Sequence, residues 1–329
     1  MDPIAAELHQ DALVIDGVCP LMQDPAHWDD WIAGGVDVAI PTVANEHGPA
    51  DTMKNLSGWF RWMRSNGDRL AHVVTVEDIT KAKEAGRLGV IFHFQDTAPL
   101  GGNVDHLEVF DRLGVKMIQL CYNRRNQVGD GCLEPADSGL SQFGRNVISE
   151  MNRLGIIVDL SHTGYRTTME AIDLSVQPPV FSHSNVYTLC NSRRNIKDDQ
   201  IKAVAATGGL VGVAAFPAFL RQDRDTSVID LVDHVDYLVE MIGPDHVALG
   251  LDYYDGGSPS VHEEMVRTGM WTEDEYPPCP HQFPTGLEDP SKFPTITVEL
   301  LRRGYPEDSV RKILGLNWMR VFQAVWRSI

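Results

Sequence analysis

The chain has 329 residues, 43% of them hydrophobic, and a formal net charge of −18. That is enough apolar material for one large α/β barrel or two smaller domains. The acidic balance disfavours nucleic acid and anionic membrane as partners, since both are polyanions. No apolar run reaches the roughly 18–20 residues that span a bilayer, and the opening MDPIAAELHQDALVID lacks the apolar core of a secretory signal. A cytoplasmic protein is therefore expected. The five cysteines, Cys19, Cys121, Cys132, Cys190 and Cys279, are scattered and form no CxxC pair, so neither a disulfide framework nor a zinc ribbon is expected.

Short Val/Ile-rich runs alternate with helical patterns along the chain. LVIDG (13–17) comes first, and VDVAIPTVA (36–44) follows DPAHWDDWIAGG. GVIFHFQ (89–95) follows TVEDITKAKEAG, a helix with Thr75 or a neighbour as cap and Gly86 as stop. VKMIQLCY (115–122), IIVDLSH (156–162), PVFSHS (179–184), GLVGVAAF (209–216) and VALGLDYY (247–254) complete the series, each after a helical stretch. These are eight strands, apolar on both faces as covered parallel strands are. The pattern predicts an α/β fold, a (β/α)8 TIM barrel, as a single domain over 1–329. A doubly wound sheet is the alternative, but no GxGxxG follows an early strand. The segment 255–294 is long for a connection and reads as a lid or subunit contact. Helical segments close the chain.

A barrel gathers its chemistry at the C-terminal ends of its strands. Those ends carry Gln95, Tyr122, His162, His183 and Asp252, unusually polar for apolar strands. His162 and His183 end consecutive strands, so two imidazoles can reach one divalent ion, with Gln95 offering a neutral oxygen. Asp252 can serve as a ligand or exchange a proton with an activated water. Arg193 and Arg194 follow His183 in the next loop, where a fork for a substrate carboxylate would sit. His93 shares a strand face with Gln95, one layer deeper, and reads as hydrogen-bonded core. Cys19 and Cys121 read as apolar filler, though a thiolate could bind zinc. Tyr122 could donate a hydrogen bond to substrate.

The stretches LSQFGRNVISEMNRLGIIVDLSHTG, PVFSHSNVYTLCNSRRNIKDD, HVALGLDYYDG and GLEDPSKFPTITVELLRRGYPEDSVRKILGLNWMRVF resemble the membrane (renal) dipeptidase family, amidohydrolase-type metallopeptidases. The resemblance runs in one order along essentially the whole chain. It implies a (β/α)8 barrel, two zinc ions, dipeptide hydrolysis and, in many members, a homodimer. It assigns His162 and His183 to the second zinc, Arg194 to the substrate carboxylate and Asp252 to the proton. The chain departs from the family at the other zinc. The family's DGHxD reads DGVCP here, so Val18 and Pro20 replace two ligands, Gln95 replaces the bridging Glu, and Tyr122 replaces a substrate-contacting His. The reading that follows is a hydrolase of small amides or dipeptides with a free carboxylate, using one Zn²⁺ held by His162, His183 and Gln95. In it Asp252 is catalytic, and Arg194 and Tyr122 bind substrate. The alternative is a barrel that binds a small carboxylate ligand without hydrolysing it.

Overall fold

The computed structural model describes residues 2–254, 259–278 and 282–327. Eight parallel strands form the barrel in chain order. The first is Ile15–Asp16, and the second comes in two pieces, Val38–Ala39 and Thr42–Ala44. The third is also split, into Leu88–Val90 and Phe92–Phe94. Val115–Gln119, Ile157–Asp159, Val180–Phe181, Leu210–Val213 and Val247–Leu249 follow. Pro41 has no N–H to give, which breaks the second strand where the sequence suggested one run. The ring closes between the first and eighth strands, where Gly17 donates its N–H to the Leu249 carbonyl at 3.0 Å and Asp252 donates to that of Val18 at 3.2 Å.

Sequence pattern missed a helix, Pro49–Ser65, and an edge strand, Leu70–His72, which pairs with Leu88–Val90. The edge strand buries only Leu70 fully, so it lacks the double-sided apolar signature of its neighbours. Thr75 does cap the helix Val76–Glu84 through a reciprocal capping box with Asp78, and Gly86 takes a positive φ of 63° beyond its end.

The barrel interior is layered. Its lowest layer takes apolar residues from all around the barrel, among them Ile15, Ile91, Ile157 and Ala248, and packs on Trp318 and Phe322 of the C-terminal helix Asn317–Val325. Such a ring is a packed core rather than a channel. Above it lies a polar layer of His93, Gln119, Asp159 and Ser182, all fully buried. Room for that layer comes from glycine: a Cβ on Gly212 or Gly250 would stand 2.1 or 1.9 Å from the Ser182 carbonyl oxygen. Cys19, Cys121, Cys132 and Cys190 are free thiols, and Cys279 lies outside the described residues. No described helix is long and apolar enough to cross a membrane.

Candidate active site

The site residues stand just past the strands rather than at their last positions. Three of them are held in left-handed backbone: Asn123, His162 and Asp252 have φ of 60°, 61° and 60°. They are the non-glycine residues with positive φ among those described, and all three belong to one rim. Left-handed backbone costs an L-residue of this kind roughly 1 kcal/mol, and such strain concentrates where side-chain aim matters.

His162 and His183 are brought together, with Nε2 atoms 2.9 Å apart. Each ring is fixed from behind. His162 Nδ1 lies 2.7 Å from Asn123 Oδ1. The Asn123 amide is oriented because its Nδ2 donates to the Met270 carbonyl at 2.9 Å. His162 must therefore donate from Nδ1. His183 Nδ1 lies 2.6 Å from Ser182 Oγ, whose own proton goes to Asp159 Oδ2 at 2.6 Å. Ser182 can then only accept from the imidazole. Asp159 stays a carboxylate: burial pushes its pKa up, but its contacts with His93 and the Ser182 hydroxyl more than reverse this and hold it well below the usual range. His93 Nε2 sits 3.2 Å from Asp159 Oδ2. The two Nε2 atoms thus present lone pairs to each other. Burial first, then the nearby Arg194, pushes both imidazoles well below their ordinary pKa and keeps them neutral.

Two facing lone pairs repel unless a cation or proton lies between them. Zn–N bonds of about 2.0–2.1 Å put two tetrahedral ligand nitrogens roughly 3.3 Å apart, so the pair at 2.9 Å stands a few tenths of an ångström closer than a shared zinc requires. Gln95 is beside them, its Nε2 3.4 Å from His183 Nε2, and turning the amide over would present its oxygen instead. His162, His183 and Gln95 are the donors that would hold an ion here. Val18 is fully buried, Pro20 borders the cavity with no donor, and the Cys19 thiol is kept protonated by burial while it donates to the Asp16 carbonyl at 3.6 Å. Among the described residues no group of three or more His, Cys, Asp or Glu could hold a metal.

Gln95, Tyr122, His162 and Asp252 line one cavity of about 380 Å³ above the barrel. Asp252 borders it with part of its surface open, yet burial raises its carboxyl to about 7, with Arg194 opposing and Asp16 and Asp159 adding to the rise. The Tyr122 ring stacks on His162 at 4.2 Å between centroids, and its hydroxyl accepts from Trp271 Nε1 at 3.2 Å. Arg194 is placed differently from the rest. It is buried, donates from Nη2 to the His183 carbonyl at 3.1 Å, and leaves Nε without a partner. It lines a second pocket of about 210 Å³ with Arg193 and Lys197, and His162 borders both pockets. Sequence reasoning missed Asn123, Asp159, Ser182 and Trp271. Asp159 and Ser182 carried a signal: both are polar, at inward positions of apolar strands, in the same runs as the two histidines.

A family model for membrane dipeptidase, peptidase family M19, matches residues 40–268 and 278–328. The chain belongs to this family. The first strand, with Val18 and Pro20 at its rim, lies before the matched residues. An amidohydrolase of Pseudomonas aeruginosa is 36% identical in sequence and superposes with a TM-score of 0.91, covering 98% of this chain and 99% of that one. A metallopeptidase of Rhodobacter sphaeroides shares the fold at a TM-score of 0.80 and 21% identity, over 96% of this chain and 100% of that one. The dipeptidase tcpJ of Claviceps purpurea is 31% identical over 278 residues, which is 84% of this chain but 60% of that protein. The chain thus spans about 60% of that relative's length. The barrel expected from sequence is the fold of this family, and dipeptide hydrolysis by metallopeptidases is the chemistry its name carries.

Proposed function

We propose that this chain is a metal-dependent hydrolase of small amides, of dipeptide or N-acyl amino acid type with a free carboxylate, working with one zinc ion. The observation that carries this is the His162–His183 pair, two neutral imidazoles with both Nε2 lone pairs aimed at one point. Zinc bound there would supply Lewis-acid activation of water.

The rest is done by the chain. Asp252, with a pKa near 7, takes a proton from the attacking water and returns it to the leaving amine nitrogen. Tyr122 already accepts from Trp271, so its own proton is available to the substrate carbonyl oxygen. Burial holds that phenol protonated. Arg194, beyond His162, receives the substrate carboxylate. The amide to be cut then lies across the His162 edge, between the two pockets.

The test is metal analysis of the purified chain, with hydrolysis of a dipeptide and N-acyl amino acid panel before and after chelation. One zinc per chain, with turnover lost on chelation and restored by zinc, is expected. Two tightly held ions would overturn the one-ion part. Turnover that survives chelation would overturn the metal part. Binding of carboxylates without turnover would favour the non-catalytic alternative.

A further inference from the structure

The two pockets that meet at His162 have opposite characters. The one with Arg193, Arg194 and Lys197 is cationic. The larger cavity has no Lys or Arg among its described lining residues, and its one acid is Asp252. One of its walls is aromatic: Tyr122, Phe216, Tyr254, Trp271 and Tyr276. A carboxylate in this cavity would face Asp252 with no Lys or Arg in the lining beside it, whereas the neighbouring pocket offers three.

The aromatic wall is built before any ligand arrives. Trp271 and Tyr276 stack with centroids 4.6 Å apart and planes 5° from parallel. Trp271 Nε1 donates to the Tyr122 hydroxyl, and Tyr276 keeps its own hydroxyl 3.0 Å from Asn123 Nδ2. The Tyr276 carbonyl is held by His262 Nε2 at 2.9 Å, from the helix Pro259–Arg267, and that helix contributes Val261 and Met265 to the lining. The wall is therefore tied to the same Asn123 that orients His162. A surface of ordered rings favours a ring as its guest, through edge-to-face and offset contacts beyond the area buried.

We infer that the half of the substrate on the acyl side of the cleaved amide carries an aromatic side chain, seated against Trp271 and Tyr276, while its carboxylate end lies at Arg194. This rests on the amide-hydrolase reading above and adds the substrate class to it. The Trp271–Tyr276 segment thus determines specificity.

Three probes differ only at that end: acetylglycine, cyclohexylacetylglycine and phenylacetylglycine. Their affinities are measured by calorimetry on the full chain stripped of metal, and their kcat/KM on the zinc-loaded chain. Phenylacetylglycine should bind the metal-free chain at least about tenfold more tightly than acetylglycine, and more tightly than the cyclohexyl compound. Trp271→Leu, confirmed folded by circular dichroism, should bring the phenyl and cyclohexyl compounds together, and Phe216→Leu gives a second, independent reading of the wall. Equal binding of all three probes, or a phenyl preference untouched by both substitutions, overturns the inference. A ring preference in the metal-free chain with no turnover of any probe overturns the hydrolase reading and leaves this inference standing. Turnover without preference does the reverse.

Discussion

Asp252→Asn tests the electrostatics of the site without touching its shape. Asn tolerates the left-handed backbone at this position as well as Asp does, so the exchange adds no strain. The carboxyl is raised from an ordinary 3.8 to about 7 in the folded chain. A folded-state pKa above the unfolded one means that the native state holds its proton longer. Stability from this group is full below about pH 4 and is lost as pH rises toward and through about 7. The shift of about 3 units corresponds to at most ~4 kcal/mol, and contact with cavity water reduces the working figure to about 2 kcal/mol. In the metal-stripped protein, urea unfolding at pH 4 and pH 8.5 should show near-equal stability at the lower pH. At the higher pH the variant should be more stable by about 2 kcal/mol. The variant should also lose hydrolysis with zinc restored, since an amide cannot carry the proton. A difference that does not change with pH, or a variant less stable at pH 8.5, would refute this account of the carboxyl.

Two further outcomes follow from other contacts. Gln95→Glu puts a carboxylate beside His183, where only an amide stands now, and should tighten zinc binding by about tenfold or more in a chelator competition titration; unchanged affinity would remove Gln95 from the metal site. Gly250→Ala drives a methyl into the Ser182 carbonyl and should cost about 2–3 kcal/mol in denaturant unfolding, with a loss of zinc affinity because Ser182 sets the His183 tautomer.

The barrel was legible because parallel strands covered on both faces give unbroken apolar runs, and eight such runs leave few alternatives. Gln95, Tyr122, His162 and Asp252 were legible because polar residues at the ends of apolar strands have little else to do. The remainder depended on contacts distant in sequence. Asn123 orients His162 across 39 positions, and Trp271 reaches Tyr122 across 149. Neither lies on a strand, so no periodicity marks it. The separation of Arg194 from the main cavity was equally hidden, because a loop's number of residues does not say on which side of a histidine it passes. The strand Leu70–His72 went unread because half-exposed short runs resemble coil.

The three left-handed residues of the rim set stability and chemistry against each other at Asn123, His162 and Asp252. Glycine at any of them would relax the backbone by roughly 1 kcal/mol and remove a working side chain. A library of this chain ranked by heat resistance alone would therefore be drawn to replace Asp252, whose carboxyl burial holds above its usual pKa, before Asn123 or His162, whose hydrogen bonds offset their strain. Improvement of the protein by that route needs these positions held constant, with substitutions sought in the helical layer, where no described non-glycine residue takes a positive φ.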